Sequence, residues 1–318
     1  MPNGPRRAIR PHRLERVRKT AAALITLGLA ALALAGCSAG PSFAGKACPT
    51  QPSSSGLTDS VTVKGDFGAE PTVTIASPTK VQKASVDDLI VGTGTPITAK
   101  NQPIVVDIAL YDARTGQKIG ATGFDKTTAA SDVNTLASQA KPLGDALQCA
   151  TAGSRLLVGF PAGTAAEGAA VAVLDVRTVF LPHAEGSLQY NDALGLPTVV
   201  RAPDGRPGII VPDAKKPAKQ VVQTLIRGEG QKVKKTDGVR VQFTSVDWDT
   251  RKVVNSTWDS QSAVISGAAG IEGQTVGSQV LLIVPPADAS AGTGADGNGT
   301  QAIVVDILGI DDSATTGQ

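Results

Sequence analysis

The sequence predicts an α+β protein of two tandem domains, each an antiparallel β-sheet wrapped around one short helix. Three observations predict it. Runs with period-two alternation and β-branched residues recur along the chain, the pattern of half-buried strands. A set of these runs repeats at an offset of 136 residues: Leu89-Ile90-Val91-Gly92-Thr93-Gly94 returns as Leu225-Ile226-Arg227-Gly228-Glu229-Gly230. Finally, 35 Gly and 20 Pro in 318 residues, with 3% aromatics, argue against long helical bundles.

The chain opens on a segment with its own chemistry. Residues 1–19 carry seven basic side chains and one acid, Glu15. The formal net charge of +2 therefore belongs to this head, and the remaining 23 basic and 27 acidic residues leave an acidic body. A nucleic-acid protein would carry its basic excess in the folded part, so no nucleic-acid partner is expected. Residues 21–35 are apolar and rich in Ala and Leu, too short for a comfortable membrane span but right for the apolar core of a secretory signal. They end in Leu34-Ala35-Gly36-Cys37, which resembles the bacterial lipobox. That resemblance implies cleavage before Cys37, acylation of its thiol, and anchoring to the extracytoplasmic face of the cell membrane, with about 0.8 kcal/mol from each buried methylene. Residues 1–36 are then a lipoprotein signal peptide, and 37–59 a polar tether rich in Ser, Gly and Pro. The compartment permits disulfides. Cys48 and Cys149 either bridge, tying the tether to the first domain, or stay free, with Cys149 as a small buried apolar residue.

The repeat sets the domain boundaries. After the glycine pair, residues 104–110 match 239–243 as alternating strands. Further on, 153–158 match 277–282, each followed by proline (Pro161; Pro285-Pro286). The closing strands 171–176 and 303–308 place Asp175 and Asp306 in register. The domains are therefore 60–182 and 195–312, joined by a linker, 183–194, and followed by a polar tail, 313–318. A period this long means tandem domains rather than a solenoid. The first helix is predicted at 143–150, with Leu143 and Leu147 on one face. The second is placed at 270–274, where Gly267, Gly270 and Gly273 weaken it.

This order of signals resembles the FKBP-type (macrolide-binding immunophilin) peptidyl-prolyl isomerases, in an actinobacterial lipoprotein form with two tandem FKBP-like domains. In the second copy the resemblance rests on Gly228-Glu229-Gly230, residues 239–244 and 252–259, the run Val276-Gly277-Ser278 through Pro285-Pro286, and the closing strand 303–308. It covers roughly 220–310, and more faintly 87–179. What it implies is catalysis without acid, base, nucleophile, metal or cofactor. Rotation about an X–Pro bond faces a barrier of about 18–20 kcal/mol from amide resonance. A dry apolar pocket that prefers the twisted amide lowers it.

In that family the pocket is aromatic, and the second copy is expected to form it from smaller groups. Phe243 takes the place of the strand Tyr, and Val254-Asn255 that of a Phe-Asp pair. Val264-Ile265 match a Val-Ile wall, Ala291 a loop Tyr, and Ile303 a late-strand Phe. Gly267-Ala268-Ala269 stand where the floor Trp belongs, while Trp248 and Trp258 lie on nearby turns. In the first copy Phe124-Asp125 looks like the Phe-Asp pair, Asp107 stands at the strand aromatic, Leu143 at the Trp and Ala172 at the late-strand Phe. That copy is read as degenerate. The resemblance thus implies a membrane-anchored isomerase of weakened activity acting on proline-containing segments of exported proteins. The alternative is a non-catalytic FKBP-fold binding or chaperone-like lipoprotein.

Other chemistries fall away. Two histidines, His12 and His183, exclude most zinc sites and His-based triads. Asp296-Gly297-Asn298 begins like a calcium loop, but Ile307 stands where the bidentate Glu is required. Gly92-Thr93-Gly94 lacks the third glycine of a dinucleotide site.

Overall fold

The computed structural model describes residues 40–76, 79–124, 128–190, 193–286 and 299–311, with Met1 and Gly4. Cys37, Asp125, Ala291, the 296–298 loop and the 313–318 tail lie outside them. A hairpin of β1 (Ser42–Phe43) and β2 (Lys46–Ala47) comes first, then a 3-10 turn at Leu57–Asp59 and a hairpin of β3 (Val61–Lys64) and β4 (Thr72–Ile75). The first sheet takes β5 (Ser85–Ile90), β6 (Pro103–Asp112), β7 (Lys118–Thr122), β8 (Ser131–Asp132), β9 (Arg155–Phe160) and β10 (Ala170–Val179). Helices α1 (Val133–Gln139) and α2 (Lys141–Leu147) stand between β8 and β9. The second half supplies β11 (Ser187–Leu188), the hairpin β12 (Thr198–Arg201) and β13 (Pro207–Ile210), then β14 (Val221–Arg227), β15 (Gly238–Asp247), β16 (Val253–Ser256), β17 (Ala263–Ser266), β18 (Gln279–Val284) and β19 (Gln301–Ile310).

The two sheets share one strand order. The first runs β5-β9-β10-β6-β7, with β8 also on β6. The second runs β11-β14-β18-β19-β15-β16, with β17 also on β15. All pairings are antiparallel. The cross-strand register aligns the halves residue by residue. Asp175 on β10 faces Asp107 and Arg155, while Asp306 on β19 faces Gln242 and Gln279. Asp107 therefore corresponds to Gln242, and Ile108 to Phe243. This corrects the sequence alignment, which placed Asp107 at the strand-aromatic position. A slip of one residue turns a strand side chain to the other face.

Each sheet is buried on both faces. On one face of the first, Ile104, Val106, Leu156, Val158 and Leu174 pack against Val133, Leu136, Leu143 and Leu147 of the helices. On the other, Ala109, Tyr111, Leu157, Val171 and Val173 lie under the β3–β4 hairpin. In the second sheet β12–β13 covers Leu281, Ile283, Ala302 and Val304 in the same way. Double burial explains why β9 and β18 are continuous apolar runs rather than alternating ones.

The helices differ from expectation. The predicted helix at 143–150 is a pair, α1 and α2. The Asp132 carboxylate caps α1 by accepting from Thr135 N (2.8 Å). Residues 270–274 form turns, and the described part of the second half contains no α-helix. Gly270 and Gly273 take φ of +87° and +78°, which a helix cannot hold. Ala269 and Ile271 drop directly into the core there.

The segment expected as a free tether is docked from Pro41 onward. Phe43 is buried against the helices, and Leu57 lies under the first sheet. Cys48 and Cys149 are disulfide-bonded, with Cα atoms 5.7 Å apart. Asp87 on β5 accepts the N–H groups of Ser55 and Thr58. Burial pushes its carboxyl up, but these bonds outweigh that and hold it below its ordinary value. The linker is anchored as well: Leu181 N donates to Leu308 O, and Ala184 N to Asp306 Oδ2. Phe180 packs with Val105 and Leu308 and lies 5.7 Å beneath the Arg240 guanidinium. Residues Pro41–Gln318 thus make one compact unit, separate from Met1–Gly40.

Candidate functional site

An apolar cavity of about 350 Å³ opens between the first sheet and its helices. Ile108 and Leu110 of β6, Phe160 of β9 and Ala172 of β10 form the sheet side. Leu143 of α2, with Gln139 and Ala140 at the α1–α2 junction, forms the helix side, and Ala165 closes one end. Four consecutive residues of β7, Ile119 to Thr122, line the mouth. β7 ends the sheet, and all five of its residues are exposed. Among the described residues the lining holds no ionisable group, so it suits an uncharged, apolar ligand part reached from the open edge.

The register shows what this cavity corresponds to. Leu110 pairs with Gly120 as Ser245 pairs with Asn255, so Ile119-Gly120 correspond to Val254-Asn255. Likewise Ala172 corresponds to Ile303, each three residues before the closing-strand aspartate. Four positions singled out on the second copy, Phe243, Val254, Asn255 and Ile303, thus have first-half counterparts, Ile108, Ile119, Gly120 and Ala172. All four counterparts line one cavity.

Of the described second-half residues, three share one core and three lie at exposed strand positions. Phe243, Ile265 and Ile303 share one core with Val241, Ile271 and Leu282. Val254 and Asn255 lie exposed on the edge strand β16. Val264 lies on β17, 37% exposed, on the opposite side of the strand from Ile265. Trp248 is buried under the β12–β13 hairpin, and Trp258 is buried with its indole N–H unpaired. In the first half, Phe124 (φ +63°) packs on the far side of the sheet from the cavity. Tyr111 lies on that far side too. Its hydroxyl donates to Pro71 O (2.7 Å), and burial pushes it up from its ordinary pKa. His183 contacts Ala184 O and Arg201 rather than any cavity group, and no cluster of metal ligands exists among the described residues.

No family model matches the chain. Over 117 residues it is 30% identical to a curated Corynebacterium glutamicum protein named "Probable FK506-binding protein", spanning 32% of this chain and 97% of that one. The chain belongs to the FK506-binding protein (FKBP) family. Similar solved structures include the three FKBP domains of wheat FKBP73, at 14% identity, covering 71% of this chain and 94% of that one (TM-score 0.31). A multi-domain immunophilin from Arabidopsis thaliana is 18% identical over 30% of this chain and 43% of its own (TM-score 0.25). FkpA from Escherichia coli is 19% identical over 38% and 54% (TM-score 0.27). Among the described residues of this FKBP chain, the cavity lining carries one aromatic ring, Phe160.

Proposed function

We propose that this FKBP chain is a membrane-anchored, extracytoplasmic peptidyl-prolyl cis-trans isomerase that assists the folding of exported proteins. We place its site in the first half. The observation that carries the reading is the apolar cavity at the family's pocket positions, open along β7. A proline ring and its amide, once inside, lose the water that stabilises the planar, polar form. Each 1.36 kcal/mol by which the cavity favours the twisted amide gives about tenfold in rate. The Cys48–Cys149 bond supports an oxidising compartment, and Leu34-Ala35-Gly36-Cys37 supports lipid anchoring. Among the described residues no helix is long and apolar enough to cross a membrane. In this reading the acyl chains at Cys37 are the anchor.

The test is an isomerisation assay on an X-Pro peptide, by proton exchange NMR or coupled proteolysis, using residues 37–318. Ala172→Phe fills the cavity floor and is expected to remove at least tenfold of the acceleration. Phe243→Ala separates the halves: acceleration that survives it belongs to the first, and acceleration that it abolishes returns the site to the second. No acceleration by the wild type sinks catalysis. For the anchor, wild type should enter the detergent phase on partition and Cys37→Ala should not.

The non-catalytic binding reading is favoured by one observation: among the described residues, the lining holds no carboxylate and no tyrosine hydroxyl. Peptide binding that Ala172→Phe abolishes, without acceleration by the wild type, would establish it.

A further inference from the structure

The cavity has one wall that no sheet hydrogen bond holds. Leu143 sits on α2, a seven-residue helix kept in place by side-chain packing and by the chain on either side. Phe43, 5% exposed, lies in the same core as Leu136, Leu143 and Leu147. Phe43 belongs to residues 41–58, which are fastened at three points. Ala44 N donates to Thr98 O (2.9 Å). Asp87 and Asp88 of β5 accept the N–H groups of Ser53, Ser55 and Thr58. Between these, Cys48 is bonded to Cys149, two residues past the end of α2.

Cys149 takes φ +69°, a left-handed conformation that a non-glycine residue keeps only where its surroundings impose it. Those surroundings are the disulfide and a hydrogen bond from Cys149 N to Ile97 O (3.2 Å). Both cysteines are half-buried and line an open surface depression of about 240 Å³, so a small reductant reaches the bond.

We propose that residues 41–58 are a positioning strap for the α2 wall of the cavity, and that the Cys48–Cys149 bond is its latch. The proposal rests on reading that cavity as the peptide site. A dithiol opens the latch by giving up two electrons and two protons: both cysteines become thiols, and the dithiol closes to its own disulfide. The turn after α2 then loses the covalent constraint on Cys149, and Leu143 is held by packing alone. The expected consequence is a looser wall and a weaker grip on the ligand.

The test uses the mature chain, oxidised and after dithiol treatment, with free thiols counted. Amide hydrogen exchange reads the wall directly. Exchange in α2 should speed up at least tenfold on reduction while β9 and β10 stay protected. Cys48→Ser with Cys149→Ser should reproduce this without reductant, and Phe43→Ala should speed α2 with the bond intact. Unchanged α2 exchange with both thiols titrated overturns the proposal. Loss of protection in β9 and β10 as well also overturns it, since the bond would then hold the whole half together. Affinity for a fluorescent X-Pro peptide, measured alongside, should fall about tenfold. Faster α2 exchange in a chain that binds no peptide in either state would retire the isomerase reading and leave the latch standing.

Discussion

Replacing Arg155 by Gln asks what holds the first sheet to its hairpin. Arg155 and Asp175 are a buried pair, 3% and 0% exposed. Arg155 Nε donates to Asp175 Oδ1 (2.6 Å) and Nη2 to Oδ2 (2.7 Å). The guanidinium also donates to Gly65 O (2.6 Å) and Asp66 O (2.8 Å), and Asp175 accepts from Gly68 N (2.6 Å). The pair therefore ties the β3–β4 loop to β9 and β10. Gln at 155 cannot reproduce the fork, so a buried carboxylate would keep one donor and three loop carbonyls, those of Gly65, Asp66 and Ala69, would lose theirs. Removing one partner of a buried pair costs about 3–5 kcal/mol. For a unit of this size that is a fall in Tm of about 6–15 °C. Calorimetry and urea unfolding at pH 7 would read it, with an unchanged m-value showing that stability alone has moved. Arg155→Gln with Asp175→Asn should recover most of the loss, because the uncompensated charge is gone. A single-variant loss below about 1 kcal/mol would refute the reasoning, and would mean that water reaches the pair. The second half already has this arrangement, Gln279 beside Asp306. There, burial holds the carboxyl above its ordinary pKa.

Two further outcomes follow from the second half. Burial raises the Asp306 carboxyl above its ordinary value, against the hydrogen bonds from Ala184 and Gln279 that favour its charged form. Its contribution to stability is thus full below the unfolded-state value and lost as pH rises through the folded one. Asp306→Asn should flatten urea midpoints measured from about pH 4 upward, and an unaltered slope would show that another group governs it. Gly309→Ala would put a methyl 2.6 Å from the Phe180 ring, which packs against Leu308 under Arg240. The expected loss is about 1–3 kcal/mol by chemical unfolding, largely recovered by adding Phe180→Leu. A neutral single substitution would mean that the ring yields freely.

Much of this was legible in the sequence, because strands announce themselves by alternation and tandem copies by repetition. Asp175 and Asp306 do occupy equivalent closing-strand positions. The face of β6 was not legible. A repeat gives an offset, but only the pairing of Asp107 with Asp175, set against Gln242 with Asp306, fixes which residue matches Phe243. That is a long-range fact. It moved the cavity lining from Asp107 to Ile108 and from Phe124-Asp125 to Ile119-Gly120. The missing second helix did leave a signal in Gly270 and Gly273, whose positive φ is the reason no helix forms. The docking of residues 41–58 left almost none, since their Ser, Gly and Pro content is that of a free chain. Only Phe43 and Leu57, two apolar residues in a polar stretch, marked where it would bury.

Among the described residues, the two halves differ above the same sheet by one change in side-chain size and one in backbone. Where the first half has Ile108 and Ala172, the second has Phe243 and Ile303, and both of these fill space above the sheet. Where the first half sets α2 across the sheet, the second runs a glycine-rich turn that lowers Ala269 and Ile271 onto it. Neither change is stable without the other. Small residues under a collapsed turn would leave a void, which costs stability in proportion to its volume. Large residues under a standing helix would push it outward. The two features are therefore coupled by packing. The same coupling gives α2 its importance in the copy that stays open. Leu143 and Leu147 of this helix share their core with Phe43, and the Cys48–Cys149 bond holds the turn that follows it.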